Sequence, residues 1–406
     1  MDLNEPTRLH KDEPNRDMAG RIRINARGRA LALSLIGLLV SASSVMGQAD
    51  GADPAAADSS TPATRDDGWL DMSAFLDKKR GFLPVATLIT EPALGLGGAL
   101  GLAFINAPLG NRTPDITVVG GMGTEDGSKG AVASDMRHWF DGRLETRAAI
   151  FYAAVNLDFY GVGEDPALVG NPLPYNLEPA GGLLEARYRV GSSPIWVGLS
   201  YAYAKTLVAF DAEAGMHGVP DFSPTSKMGG IGPSLTLDMR DNFFTPTRGS
   251  YVEATANIFS SALGGDEEFQ RAQITAMQYV RLPRALFLGV RAQATASSED
   301  TPFYFRPFIY QRGVPAMRYL GEEMAQIEVE LRWQFWNRFS AVGFGGTGAT
   351  WVDDEGVESP KTVTVGGAGF RYELARKYGI HVGLDVAFGP DGRAFYIQWG
   401  SAWIRP

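Results

Sequence analysis

The chain has no cysteine and only four histidines. The first absence excludes a disulfide framework, a thiolate metal site and a cysteine nucleophile. An excess of positive charge is missing as well: 37 Lys+Arg stand against 46 Asp+Glu, a net charge of -9, which makes nucleic acid a poor partner. No apolar run reaches the roughly 20 residues of a spanning helix; ALALSLIGLLV at 30–40 falls well short. What the 406 residues do contain is glycine, 49 of them, and 45% hydrophobic residues, enough for one large domain.

The N-terminal region reads as an export signal. Arg21, Arg23, Arg27 and Arg29 precede the apolar run, and small residues then lead to Gly47-Gln48-Ala49, a cleavage site. A secretory signal over 1–49 is therefore expected, with Met18 as an alternative start to Met1. Residues 50–66, DGADPAAADSSTPATRD, have the composition of a flexible leader. In WLDMSAFLDKKR, Trp69, Leu70, Met72, Phe75 and Leu76 fall near one helical face, so a short amphipathic helix is expected within a leader spanning 50–80. After the signal only His138, His217 and His381 remain, scattered along the chain, and they form no Ser/His arrangement for hydrolysis. No enzyme, cofactor or metal site is expected. GLGGALG at 95–101 lacks the spacing and following helix of a phosphate loop, and the acidic runs Asp266-Glu267-Glu268 and Asp353-Asp354-Glu355 read as solvated loops.

From residue 81 to 406 the pattern has a period of two. In AQIEVELRWQFW, Gln326, Glu328, Glu330, Arg332 and Gln334 alternate with Ile327, Val329, Leu331, Trp333 and Phe335, which places charge on one face of a strand and apolar side chains on the other. Arg271, Gln273, Thr275 and Arg281 do the same against Ala272, Ile274, Val280 and Leu282. Sixteen such segments follow one another, joined alternately by tight turns (141–143, 191–194, 283–285, 337–338, 375–379) and longer loops (161–179, 211–226). Even strand number, roughly ten-residue strands and this asymmetry predict an all-β fold: a 16-stranded antiparallel transmembrane β-barrel with a polar lumen and a lipid-facing exterior. Trp333, Phe335, Trp336, Trp399 and Trp403 stand near strand ends, where aromatic girdles form.

Two stretches carry a resemblance. LTLDMRDNFFTPTRGSYVEATANIF, with Asp238, Arg240, Asp241, Asn242, Pro246 and Gly249, resembles the strand-turn-strand signature of the bacterial surface antigen domain, the barrel of the BamA/TamA superfamily. QRGVPAMRY resembles that family's outer loop between strands eleven and twelve, and counting by periodicity puts Arg312-Gly313 in the same interval. The resemblance implies that the Arg-Gly pair folds back into the barrel, with Arg312, or alternatively Arg318, as the anchor. The family's usual acid, in an F-x-D-x-G pattern on strand thirteen, is absent: Phe344-Gly345-Gly346-Thr347-Gly348 has glycine in its place. Glu328 and Glu330, lumen-facing by parity on the next strand, are the substitute partners, because a desolvated guanidinium needs a carboxylate.

The family's barrels end on an aromatic residue, whereas Trp403 here is followed by three more residues; Phe395, Ile397, Trp399 and Trp403 are expected to face lipid. Residues 50–80 are too few for a polypeptide-transport-associated domain. The resemblance thus implies a stand-alone barrel in the outer membrane of a Gram-negative bacterium, working in protein insertion or translocation or in another membrane-biogenesis role. Its partners would be outer-membrane lipid, unfolded or exported polypeptide and a separate periplasmic protein. A passive, porin-like diffusion channel is the alternative; an open lumen would favour it.

Overall fold

A computed structural model of the chain describes residues 63–64, 68–73, 82–106, 115–163, 165–211, 222–242, 244–353 and 359–403. The expected signal, most of the leader and His217 lie outside them. Among the described residues one antiparallel sheet of sixteen strands forms the barrel wall, each strand pairing with its sequence neighbours, beside a separate two-stranded ladder of Ala63–Thr64 and Leu70–Asp71. In chain order these are β1 (Phe82–Ile89), β2 (Gly97–Asn106), β3 (Asp115–Thr124), β4 (Lys129–Trp139), β5 (Leu144–Phe159), β6 (Leu173–Arg189), β7 (Ile195–Phe210) and β8 (Thr225–Asp238). They continue as β9 (Gly249–Phe259), β10 (Phe269–Leu282), β11 (Leu286–Ser297), β12 (Glu323–Trp336), β13 (Phe339–Trp351), β14 (Lys361–Ala375), β15 (Ile380–Gly389) and β16 (Gly392–Trp399).

Alternation becomes inside and outside. On β12, Ile327, Val329, Leu331, Trp333 and Phe335 are exposed on the outer face, while Met324, Gln326, Glu328 and Arg332 are buried on the inner one. A one-residue slip would reverse both faces, so the pattern also sets register: Arg291 of β11 lies opposite Glu328, and Gln293 opposite Gln326. Trp139, Phe140, Trp333, Trp336 and Trp399 are exposed near strand ends, in the positions of a girdle.

The inner surface has two characters. Towards the end that carries the long loops, β5 and β6 turn Phe151, Val155, Leu157, Phe159, Leu173, Tyr175 and Leu177 inward, and these bury against Phe303, Phe305, Phe308 and Leu320 of the 298–322 loop. Phe303 alone lies 5.0 Å from the ring of Phe159 and 5.6 Å from that of Tyr175. Deeper in the barrel the inner face is charged. The loop is therefore held by an apolar core at its base and must meet ions at its tip.

Two expectations need correction. The outer loop expected over 161–179 is shorter, because β6 begins at Leu173: its inward Leu173, Tyr175 and Leu177 alternate with Pro174, Asn176 and Glu178, and the prolines disguise the strand. Pro179 is tolerated because the ladder to β5 skips there while pairing to Thr206 of β7 continues. Of the expected amphipathic helix, 74–80 lie outside the described residues; ahead of it Leu70–Asp71 pair with Ala63–Thr64. Asp71 is held by Arg338 at 3.0 Å, and the Met72 amide donates to the Leu374 carbonyl at 2.9 Å, docking this segment on the short-turn rim. Finally, Trp403 does not face lipid. β16 ends at Trp399, Gly400 adopts φ +70°, and Trp403 is buried inside the barrel.

Candidate functional site: a loop, a turn and a tail inside the barrel

The tip of the 298–322 loop carries Arg312, whose side chain is fully buried. Its Nε donates to Glu328 Oε1 at 2.9 Å, its NH1 to Asp385 Oδ2 at 2.7 Å, and its NH2 lies 2.8 Å from Glu330 Oε2. The guanidinium also stacks 3.5 Å from the centre of the Phe344 ring. Both sequence-derived partners are thus in contact, and a third, Asp385 of β15, accompanies them. Phe344 keeps its place in the motif as a stacking surface, while the carboxylate missing from β13 is supplied from two strands away. Asp385 also takes two bonds from Arg371 of β14, so two arginines and three carboxylates form one buried network. A group this desolvated is held only if each charge finds partners.

Asp385 left a signal in the sequence. In GLDVAFG, Leu384 and Phe388 are exposed outside and Asp385 takes the inward parity, a lone acid on an inner strand face. A glycine makes room for it: a Cβ at Gly369, opposite Asp385 in register, would stand 1.8 Å from Asp385 Oδ1. Gly369→Ala should therefore push the carboxylate off both arginines without removing any charge. We expect a loss of about 1–3 kcal/mol, the usual cost of overpacking, read as an earlier heat-modifiability midpoint. An unchanged midpoint would show that Asp385 is dispensable.

Around Arg312 the loop is threaded by its backbone. Gly313 has φ +92°, its amide donates to Tyr396 Oη at 2.9 Å, and its carbonyl oxygen would lie 2.1 Å from a Cβ on Gly389. Gln311 Nε2 donates to the carbonyls of Ile327 and Thr347. Arg318 stands apart from the Arg312 network: its Nε donates to Asp391 Oδ1 at 3.2 Å, and its guanidinium lies 3.8 Å from the Tyr160 ring. On the other side, the Ala316 amide donates to Glu91 Oε1 at 3.1 Å. Asp391 immediately precedes β16 and Glu91 follows β1. These are the strands that should close the barrel, yet among the described residues no ladder joins them; Thr90 Oγ1 donating to the Phe395 carbonyl is a single link. The loop spans this seam.

The other end of the barrel is closed by the turn between β8 and β9. Asp238 takes two bonds from Arg240, which stacks 4.4 Å from the Tyr251 ring. Asp241 caps the turn by accepting from the Thr247 and Arg248 amides. Asn242 Oδ1 accepts from the Phe244 and Thr245 amides, and its Nδ2 reaches across to donate to the Tyr378 carbonyl at 2.9 Å. Pro246 is buried beside them. Gly249 takes φ +101°, and a Cβ there would meet the Met239 carbonyl at 2.1 Å, so only glycine fits. The turn thus folds inward, where Phe244 packs on Ala375 and Ile380.

Residues 223–391, which contain both this turn and the Arg312 loop, match the model of the Omp85 superfamily domain. That stretch of the barrel wall, with its turn and loop, is similar to the Omp85 superfamily domain. The fold of the barrel is shared with BamA from Haemophilus ducreyi lacking POTRA domains 1–3, at a TM-score of 0.52 and 11% identity over 84% of this chain and 80% of that one. CdiB from Escherichia coli (0.54, 12% identity) and CdiB from Acinetobacter baumannii (0.53, 10%) each align over 78% of this chain. The alignments span 61% and 59% of those two chains. No curated protein sequence matches the chain.

Sequence reasoning missed the tail of this barrel. The Gly400 amide donates to the His381 carbonyl at 2.7 Å and the Ser401 amide to the Phe244 carbonyl at 2.6 Å, so the inward turn receives the chain as it leaves β16. Trp403 then reaches the middle of the lumen. Its Nε1 donates to Glu328 Oε1 at 3.0 Å, the oxygen already bonded by Arg312, and its ring rests on Tyr279 and on the bare backbone of Gly289. Loop and tail meet at one carboxylate, and the turn holds the tail on its way there.

Proposed function

We propose that this barrel handles polypeptide at the outer membrane, admitting it sideways between β1 and β16, rather than letting solutes diffuse through its centre. The observation that carries the reading is the seam. Among the described residues every other pair of neighbouring strands shares a ladder, whereas β1 and β16 are bridged by the 298–322 loop, through the Ala316 backbone amide on Glu91 and the Arg318 side chain on Asp391. An edge left unpaired is a template for adding another strand. The insertion and translocation role implied by the family resemblance needs such an edge. The filling of the lumen by an aromatic core, a buried arginine network and Trp403 argues against the porin-like alternative. On this reading the substrate is an unfolded or exported chain, delivered by a separate periplasmic protein, and the export signal over 1–49 is removed beforehand.

Two measurements test it. In planar bilayers the purified barrel should show low, fluctuating conductance; a large, steady open level would favour the diffusion channel. Thr90→Cys with Phe395→Cys, introduced into this cysteine-free chain, should crosslink only partially, and full crosslinking should abolish any assayed insertion or secretion. Complete locking with that activity unchanged would remove the sideways route.

A further inference from the structure

One buried charge of the lumen belongs to none of these networks. Arg271, on the inner face of β10, is only 2% exposed. Among the described residues it has no hydrogen-bond or ion-pair partner; its one recorded contact is the Phe305 ring, 5.0 Å from the guanidinium. Arg312, Arg318, Arg338 and Arg371, by contrast, each have at least one carboxylate. A guanidinium carries five N–H donors in a planar fork, and leaving such a charge desolvated and unpaired is among the costliest arrangements in a protein.

The surroundings are short of acceptors in the same way. Asn257 of β9 lies directly opposite Arg271 in register, and its Nδ2 is buried without a partner. Two residues along, Thr255, Gln273 and Thr295 form the next row across β9, β10 and β11, and the hydroxyls of Thr255 and Thr295 are likewise unbonded. Neighbouring rows on one face stand within reach of such side chains. Thr255 and Gln273 are half-buried although they face inward. Phe305, packed on Phe259 and Phe269, closes the patch towards the long-loop end.

We propose that this patch is a binding site for a small oxyanion, a phosphate group held by Arg271 and Asn257 with the Thr255 and Thr295 hydroxyls as further donors. Donors arriving from three adjacent strands suit a tetrahedral group better than a planar carboxylate, and a guanidinium fork matches two phosphate oxygens. The phosphate could be free or carried on a lipid headgroup, since the chemistry presented to the site is the same.

The test uses the full chain in neutral detergent. Inorganic phosphate should raise the unfolding midpoint saturably, beyond the effect of chloride at equal ionic strength. In Arg271→Met the shift should vanish, or its apparent Kd should weaken by about tenfold or more. Without phosphate that variant should be at least as stable as the wild type, because an uncompensated buried charge has been removed; a merely structural arginine would give the opposite order. A stabilisation seen with a short-chain phosphatidic acid but not with inorganic phosphate would assign the site to a lipid headgroup. No stabilisation by either, an equal shift in Arg271→Met, or a variant that cannot fold in the absence of phosphate would each overturn the proposal.

Discussion

Arg312→Ala should leave three carboxylates facing one another in the middle of the barrel and release the loop that spans its seam. Glu328, Glu330 and Asp385 all contact this one side chain, and its charge is fully buried. Arg371 still pairs with Asp385, so the loss falls mainly on the two glutamates. Removing one partner from a buried ionic network costs about 3–5 kcal/mol, because the remaining charges stay desolvated. The strand ladders do not include Arg312, and the aromatic base of the loop around Phe303 and Phe308 is untouched. The barrel should therefore still form, with the loop tip loosened: new protease cleavage within 306–320 from outside, a lower heat-modifiability midpoint and a higher conductance. Lysine at this position should rescue only in part, since a single ammonium cannot reach carboxylates on β12 and β15 together and also stack on Phe344. Wild-type protease resistance and conductance in Arg312→Ala would show that the loop is held by its aromatic base alone.

Trp403→Ala should have an effect of similar size by a different route. The ring fills space against Tyr279 and Gly289, and its N–H satisfies the glutamate that Arg312 also binds. Truncating a buried tryptophan costs about 3–5 kcal/mol, part transfer and part cavity. The tail would lose its inner anchor, while the Gly400 amide stays on the His381 carbonyl of β15 and the Ser401 amide on the turn. The expected results are a matching fall in the unfolding midpoint and more complete crosslinking of the Thr90→Cys/Phe395→Cys pair, as β16 gains freedom to approach β1. Because Trp403 and Arg312 share Glu328, the double variant should lose less than the sum of the singles. Additive losses would mean that the tail and the loop are energetically separate. Gly289→Leu offers an independent check, since its side chain would displace the Trp403 ring and should reproduce the crosslinking change without touching Trp403.

Most of the wall of this molecule was legible in advance because a strand with lipid on one side and a polar lumen on the other must alternate, and alternation is local. The segment 249–259 runs as a strand over the residues its pattern marks. On β12 every inward charge follows from parity alone. The reading weakened where proline interrupted the alternation, as at Pro174 and Pro179 in β6, because whether a ladder bond is needed at a proline depends on the neighbouring strands.

The interior was legible only in part. Arg312 stood out by resemblance, and Glu328 and Glu330 by lying on the next strand with the right parity. Asp385 did not, because it is 73 positions away in the chain and becomes a neighbour only when β15 curves round to face β12. Trp403 was assigned the wrong side for a related reason: parity holds while a strand continues, and the positive φ of Gly400 ends the strand one residue after Trp399. Sequence by itself determined the strand number and the faces, because these rest on period and count, while the loop's arginine was marked by resemblance. Tertiary structure alone decided which carboxylates surround that arginine, that the turn at 239–248 and the tail close the short-turn end together, and that β1 and β16 are left unpaired. Those depend on how the closed sheet brings distant strands face to face, and no local pattern encodes that curvature.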